Sequence, residues 1–275
     1  LVFAHLKVDK TWIVVVPTLT FIATVSPACR LGAEPWFVDC DSTGNIDLKL
    51  LDKAFADAAK SGRKILFVAV DLFGRCCNYD TIEKLCRKYK AKFVCDSAEA
   101  VGATFKGRPA GSAGLAAVYS FNGNKLITTS GGGAVLTDDK KLADHVKKLS
   151  QQSREKALWY EHKEIAYNFR MSNLLAAVGL AQLSKMDKIL NAKKNVREFY
   201  GRCAEGRRLE FLPRVEGENN WLTIMLLKNS RERDRLIKLF EAENVETRPV
   251  WKPMHLQKVF KGCRVYGGNV SENLF

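Results

Sequence analysis

The 275-residue sequence predicts an α/β fold, in which a mainly parallel mixed sheet with flanking helices is followed by a smaller α+β domain. Two observations lead to this prediction. Short continuous apolar runs such as WIVVV and KILFVAV, typical of strands buried on both faces, alternate with amphipathic segments of helical period. After the last long helix the order becomes strand, helix, strand, which is typical of a separate α+β unit. We expect the large domain to span residues 1–190 and the small domain residues 195–275.

The first half of the chain supplies most of the predicted sheet. The segment 47–60 has Leu48, Leu51, Phe55 and Ala58 at helical spacing, which predicts a helix packed on the sheet. A second helix is predicted in DTIEKLCRKYK, where Asp80 and Glu83 have the spacing of a capping box. The predicted strands are WIVVV, PWFVD, KILFVAV, KFVCD, LAAVYSF and GAVLT.

The second half predicts one long helix and a small lobe. Ser172 or Asn173 can cap a helix that continues over residues 173–203. Three segments then predict strand, helix and strand: NNWLTIMLL, SRERDRLIKLFEAENV and ETRPVWKPM.

Composition excludes several classes of protein. The longest apolar runs are interrupted by Pro17 and by threonines, so none reaches the roughly 20 residues of a membrane span. The formal net charge is +14, but the lysines and arginines are scattered, which disfavours nucleic-acid binding and suits anionic small substrates. The eight cysteines include no CxxC pair, so we expect reduced thiols in a cytoplasmic protein and no metal site.

Two polar features follow predicted strands of the sheet. Asp96 ends KFVCD, and Ser120 to Lys125 follow LAAVY. Ligands of open α/β sheets collect at the carboxyl ends of strands. A surface ion pair would explain a lysine and an aspartate at one edge. Pyridoxal phosphate would also explain them, because a lysine bonds to this cofactor and an aspartate holds its ring nitrogen protonated.

Three motifs, in this order and spacing, resemble a known family. DSAEAVGATFKGRPAGSAG, YSFNGNKLITTSGGG and YNFRMSNLLAAVGLAQL are similar to motifs of the DegT-type nucleotide-sugar aminotransferases of fold type I. The resemblance runs from about Pro17 to the end of the chain. It implies the large domain of the fold type I pyridoxal phosphate transferases.

The resemblance also implies roles for individual residues. Lys125 matches the lysine that bonds to pyridoxal phosphate, and Asp96 matches the partner of the ring nitrogen. Glu99 occupies the position beside the ring hydroxyl, and Ser120 matches a phosphate ligand. Phe21 falls where the family stacks an aromatic ring on the cofactor, although a core phenylalanine would also fit there.

Asn168 matches an asparagine that reaches the cofactor phosphate of the partner subunit, which implies a homodimer; a turn residue is the alternative. NGNKLITTSGGG, WYEH and ETRPVWKPMHLQKVF resemble the subgroup that acts on UDP-linked 4-keto-6-deoxy-N-acetylhexosamines, the bacillosamine type, with glutamate as donor. Arg248, Lys252 and His255 would then contact the nucleotide diphosphate; residues of a solvated loop are the alternative.

Several departures from the family leave a second hypothesis open. The family's GTSA-like phosphate turn and its terminal GLCLPSG-like strand have no counterpart, so we expect an internal piece of a longer protein. Asp71 also stands where histidine is common in the family. A non-catalytic remnant that acts as a binding module is therefore the alternative to an enzyme.

Overall fold

The computed structural model describes residues 1–206 and 209–275. Its helices are α1 Val2–His5, α2 Ser26–Arg30, α3 Leu48–Lys60, α4 Tyr79–Tyr89, α5 Lys140–Ser150, α6 Asn173–Leu183, α7 Met186–Ala204, α8 Ser230–Ala242 and α9 Asn269–Leu274. Its strands are β1 Trp12–Pro17, β2 Glu34–Val38, β3 Lys64–Val70, β4 Lys92–Asp96, β5 Thr104–Phe105, β6 Arg108–Pro109, β7 Ala117–Ser120, β8 Gly133–Leu136, β9 Glu210–Phe211, β10 Met225–Leu226 and β11 Arg264–Tyr266.

The main sheet confirms the predicted α/β fold. Within the described residues it has seven strands in the order β11-β2-β1-β3-β4-β7-β8. All neighbours are parallel except β8, which runs antiparallel to β7. β5 with β6, and β9 with β10, form two small antiparallel ribbons. The sheet is therefore mainly parallel and mixed, as the sequence predicts.

Alternate residues of the central strands enter two cores, one on each face of the sheet. On one face Ile13, Phe67 and Phe93 pack with the apolar sides of α3 and α4. On the other face Val14 and Leu66 pack with apolar residues of α1, α5 and the C-terminal segment. Because both faces are covered, the strands carry apolar side chains in both directions. The two cores fix the sheet that positions the polar residues at its carboxyl edge.

That carboxyl edge gathers polar side chains from five strands. The register pairs Val70 with Asp96 and Asp96 with Val118, so β3, β4 and β7 end close together. Parallel strands bring their carboxyl ends to one edge of a sheet, where loops and helix N-termini meet. The polar residues at or just beyond these ends are Thr18, Asp39, Asp71, Asp96 and Ser120.

The long helix predicted over 173–203 is two helices, α6 and α7. The chain leaves helical geometry at Lys185, between Leu183 and Met186. Ser184 donates its hydroxyl to the carbonyl of Ala181. Serine hydroxyls that bond back to the preceding turn compete with the helix ladder and bend helices. Ser172 is the N-cap of α6, which is one of the two caps that the sequence offered.

The predicted strands of the C-terminal half are largely wrong. Of NNWLTIMLL only Met225–Leu226 pairs, and ETRPVWKPM contains no strand. Pro249 and Pro253 lack the N–H groups that a strand ladder requires. β11 falls in the range predicted for the small domain, yet it pairs with β2 of the main sheet. The division at residues 190–195 stays a prediction.

Two further local features concern helices. The N-cap of α4 is Asn78, whose side chain accepts from the backbone N–H of Thr81, so the capping box predicted for Asp80 and Glu83 is wrong. Asp80 instead pairs with Lys106 and Arg108. Among the helices of the described residues, none combines the length and apolar character needed to cross a membrane.

Candidate active site

A cavity of about 460 Å³ lies at the carboxyl edge of the main sheet. Several of the residues singled out from the sequence line it, among them Asp96 and Lys125. The lining residues are Thr20, Phe21, Ala23, Thr24, Val70, Asp96, Ala98, Glu99, Val118, Tyr119, Ser120, Asn122, Asn124, Lys125, Gly132, Trp221 and Trp251. A wider depression along α8 is lined by residues of that helix alone and contains none of these groups.

Asp96, the last residue of β4, presents its carboxylate to this cavity. The hydroxyl of Thr24 donates to Oδ2 over 2.7 Å, and the backbone N–H of Ala98 donates to Oδ1 over 3.2 Å. Burial nevertheless raises the pKa of Asp96, although these hydrogen bonds and Lys125 oppose the rise. A cation placed against the carboxylate would offset the cost of this buried charge.

Lys125 lies in a tight turn between β7 and β8. Its backbone N–H donates to the carbonyl of Asn122, three residues earlier, which closes the turn. The side chain is only 14% exposed, and its Nζ lies 3.7 Å from Oε1 of Glu99. Gly133 permits the close return of the chain, because a Cβ there would lie 2.4 Å from the carbonyl oxygen of Tyr119. The amine therefore points into the cavity and toward Glu99.

Glu99 is buried beside Lys125. Its Oε2 accepts the backbone N–H of Phe73 over 2.7 Å, which leaves Oε1 directed at the lysine. Phe73 has a φ of 58°, a left-handed conformation that is uncommon for a non-glycine residue. Burial raises the pKa of Glu99 to about 7, and the charge of Lys125 acts in the opposite direction. Near neutral pH this carboxyl can therefore hold or release a proton next to the lysine.

Asp71 forms a fully buried network behind the turn that carries Glu99. It accepts from the hydroxyl of Ser97 at 2.5 Å, the hydroxyl of Tyr79 at 2.6 Å and the N–H of Cys77 at 2.9 Å. Tyr79 also accepts from the N–H of Gly111, so its single proton is directed to Asp71. Burial raises the pKa of Asp71 to about 6. Asp71 therefore joins the segment after β4 to the start of α4 as a shared hydrogen-bond acceptor.

The structure places Phe21 and Ser120 at the cavity and Asn168 away from it. The exposed ring of Phe21 lies 6.1 Å from the ring of Trp251, measured between centroids. The hydroxyl of Ser120 accepts from the N–H of Asn122. Asn168 is exposed and does not line the cavity.

The three residues predicted to contact a nucleotide do not line the cavity. Arg248 is exposed and pairs with Glu246, and Lys252 follows the cavity residue Trp251. Both ring nitrogens of His255 are engaged, Nδ1 with the hydroxyl of Thr18 at 2.6 Å and Nε2 with Glu272 at 2.9 Å. In this structure His255 therefore joins α9 to the end of β1, and its predicted contact with a diphosphate would require these bonds to break.

Sequence reasoning missed four residues that surround the predicted ones. The hydroxyl of Thr24 donates a hydrogen bond to Asp96, and the backbone N–H of Phe73 donates one to Glu99. Trp221 and Trp251 line the cavity. Thr24 could have been found, because it lies in the same PTLTFIAT segment as Phe21. Trp221 and Trp251 lie 96 and 126 residues after Lys125, and no local pattern brings them to it.

The residues present fit pyridoxal phosphate. Lys125, the part-buried carboxylate of Asp96, whose pKa burial raises, and the exposed Phe21 ring border one cavity. Asp96 would hold the ring nitrogen, Lys125 would bond to the cofactor, and Ser120 would contact its phosphate. Within the described part of the chain, no group of three His, Cys, Asp or Glu residues could hold a metal ion.

Comparisons with known proteins agree with this chemistry. The profile of the DegT/DnrJ/EryC1/StrS aminotransferase family matches residues 1–273. The chain is 35% identical over 269 residues to EpsN of Bacillus subtilis (strain 168), a protein assigned as a pyridoxal phosphate-dependent aminotransferase. The alignment covers 94% of this chain and 69% of EpsN. It is 34% identical to the GDP-perosamine synthase of Caulobacter vibrioides, covering 94% of this chain and 73% of the synthase.

A solved structure shows the same fold. It is a DegT DnrJ EryC1 StrS aminotransferase from Brucella abortus, which superposes with a TM-score of 0.90 at 27% identity. The superposition covers 99% of this chain and 74% of the Brucella chain.

Proposed function

This chain belongs to the DegT/DnrJ/EryC1/StrS aminotransferase family, and we propose that it transfers an amino group from glutamate to a nucleotide-linked 4-keto-6-deoxy sugar, using pyridoxal phosphate. One observation carries the proposal: Lys125, Glu99 and Asp96 line the same cavity at the carboxyl edge of the sheet. When bound, the cofactor supplies a ring that accepts electrons and carries the amino group between the two substrates.

Each of the three residues has a separate task. Asp96 would hold the ring nitrogen in its protonated form, and the positive charge of that nitrogen would offset the burial that raises the pKa of Asp96. Lys125 would bond to the cofactor, and its amine, when not so bonded, would move the proton that the transfer of the amino group requires. Glu99 would hold that amine through Oε1.

The choice of substrate rests on the relatives and on the surroundings of the cavity. GDP-perosamine synthase is named for a nucleotide sugar. The motifs shared with the bacillosamine-type subgroup favour a UDP-linked 4-keto-6-deoxy-N-acetylhexosamine. Arg248 and Lys252 flank Trp251 in the chain, so a diphosphate held by these cations would leave the sugar near the cavity.

We also propose that the protein is a homodimer. The exposed apolar segment, residues 158–183, includes Leu158, Ile165, Phe169, Leu174 and Leu180, all of them exposed. Helix α6 in this segment has no buried residue. Exposed apolar surface of this extent marks an interaction site. Asn168 lies within the segment with its side chain exposed, and a second copy on this surface would place it near the partner subunit.

The reaction is tested by incubating the protein with pyridoxal phosphate, glutamate and either a UDP-linked or a GDP-linked 4-keto-6-deoxy sugar. We expect 2-oxoglutarate and amino sugar in equal amounts, with the UDP-linked substrate preferred. Lys125→Ala should reduce the rate by at least about a thousandfold, because it removes the residue that both bonds to the cofactor and moves the proton. If neither sugar yields more 2-oxoglutarate than Lys125→Ala does, the protein is a non-catalytic member of the family.

A further inference from the structure

Lys125 has a second neighbour besides Glu99. Its Nζ lies over the indole ring of Trp221, 4.5 Å from the ring centroid. An ammonium over an indole face is attracted by the ring quadrupole, and tryptophan is the best aromatic partner for a cation. The amine therefore lies between a carboxylate and an aromatic face. Of these two contacts only Glu99 can accept its proton.

Trp221 also holds the backbone from which Lys125 extends. Its Nε1–H donates to the carbonyl of Asn124 over 2.9 Å, and Asn124 immediately precedes the lysine. One indole group thus contacts both ends of the lysine, the backbone beside it and the amine at its tip. A free lysine side chain has many rotamers, and two fixed points exclude most of them.

Asn219 fixes Trp221 to the rest of the site. Its Oδ1 accepts the N–H of Trp221, and its Nδ2 donates to the carbonyls of Glu99 and Val101. The N–H of Asn219 donates to the carbonyl of Gly74 over 3.0 Å. The close contact between Asn219 and the backbone at position 74 requires a glycine there, because a Cβ would lie 1.7 Å from Oδ1 of Asn219. The φ of Gly74 is also 81°, a left-handed conformation that favours glycine. Residues 219–221 therefore connect the turn after β3, the Glu99 loop and the lysine turn.

We propose that Trp221 is a positioning residue for Lys125. Its indole ring holds the released amine at the cavity wall between Glu99 and the ring, and its N–H fixes the turn that aims the amine at the cofactor. The proposal rests on the proposed aminotransferase function. Trp221 is only 5% exposed and its ring lies under Lys125, so little of its face is left for stacking on a sugar. Its effect should therefore appear before any sugar is bound.

The first test measures covalent capture of pyridoxal phosphate without substrates. The protein is mixed with pyridoxal phosphate, reduced with borohydride at intervals, and the fraction of Lys125 carrying the cofactor is read by mass spectrometry. We expect Trp221→Leu to slow capture about tenfold and Trp221→Phe about threefold, because phenylalanine keeps an aromatic face but loses the N–H. Trp36→Phe is the matched control, since Trp36 is also buried and donates its N–H to Glu34 but does not line the cavity.

The outcomes separate the inference from the function beneath it. If circular dichroism shows that Trp221→Leu does not fold, the capture rate of Trp221→Phe alone tests the positioning role. Capture at the Trp36→Phe rate in the folded Trp221 variants would overturn the positioning role. No capture by the wild-type protein would instead refute the proposed function.

A second measurement separates positioning from sugar binding. In the Trp221 variants the rate of the half-reaction with glutamate alone should fall by the same factor as the kcat of the complete reaction. The KM values for both substrates should stay within about threefold of wild type. If the glutamate half-reaction is unchanged and only the KM for the sugar rises, Trp221 is a sugar contact and the proposal is wrong.

Discussion

The sheet edge around Asp96 and the exposed apolar segment, residues 158–183, differ in how much of their apolar surface the chain itself covers. The strands below Asp96 are packed on both faces by the chain's own helices. Leu158 and Ile165 have no such cover and are fully exposed. The first region can hold its chemical groups at fixed distances by itself. The second leaves large apolar side chains exposed to solvent, and this exposure is the basis on which a second copy of the chain is proposed to cover it.

The largest contrast is expected from the same substitution made in both regions. Leu51→Ala, at a side chain with 0% exposure, should lower the free energy of unfolding by about 2–5 kcal/mol, because it leaves a cavity in the core under α3. Leu158→Ala, at 100% exposure, should change the stability of the monomer by less than about 0.5 kcal/mol. Urea unfolding at low protein concentration measures both values. Equal losses would show that the apolar segment is already packed within one chain.

The buried carboxyl beside Lys125 should make the stability of the sheet edge depend on pH. Because burial raises the pKa of Glu99 to about 7, the folded protein retains a proton that the unfolded chain releases above about pH 4.5. The stability contributed by this group is therefore present at low pH and falls as the pH rises to 7. Between pH 5 and pH 8 the free energy of unfolding of the wild type should fall by roughly 2–3 kcal/mol more than that of Glu99→Gln.

Urea unfolding of the wild type and Glu99→Gln without cofactor, repeated across this pH range, measures how the two free energies of unfolding diverge. Glu243→Gln, at an exposed glutamate, is the control and should follow the wild-type curve. Parallel curves for wild type and Glu99→Gln would mean that Glu99 does not titrate in this range.

A smaller effect is expected from a charge placed in the exposed apolar segment. Leu174→Glu, at a side chain that is 81% exposed, should weaken self-association about tenfold or more, because the carboxylate would be buried against the second copy. Sedimentation velocity measures the association. Leu239→Glu, on the exposed side of α8, is the matched control and should leave association unchanged. A wild-type protein that stays monomeric at micromolar concentrations would contradict the proposed dimer.

The sequence predicts the first region well for a physical reason. Buried parallel strands read as apolar runs, and their carboxyl ends necessarily meet at one edge, so Asp96, Ser120 and Lys125 could be placed together from their positions alone. The resemblance then added Phe21 and Glu99, and the structure places both at the cavity. No such constraint applies to short strands without a partner in the main sheet. There only Met225–Leu226 of the strand predicted in NNWLTIMLL forms, and the strand predicted in ETRPVWKPM is wrong.

The contacts made by Trp221 show what sequence alone could not supply. Its indole N–H reaches the carbonyl of Asn124 across 97 positions of the chain, through a segment of residues 219–221 that has no periodic pattern. His255 shows the converse case. An imidazole N–H suits a phosphate oxygen, but the hydroxyl of Thr18 and the carboxylate of Glu272 occupy both of its nitrogens. In both cases the tertiary contacts decide which atoms are free to react.

The central claim is that Lys125 is the residue that bonds to pyridoxal phosphate, and a spectrum tests it most directly. The purified protein is mixed with pyridoxal phosphate, passed over a desalting column and examined for visible absorbance. We expect a band from lysine-bound cofactor in the wild type that Lys125→Ala lacks, with both proteins equally folded by circular dichroism. A wild-type protein that elutes without the band, or a Lys125→Ala protein that retains it, would contradict the account.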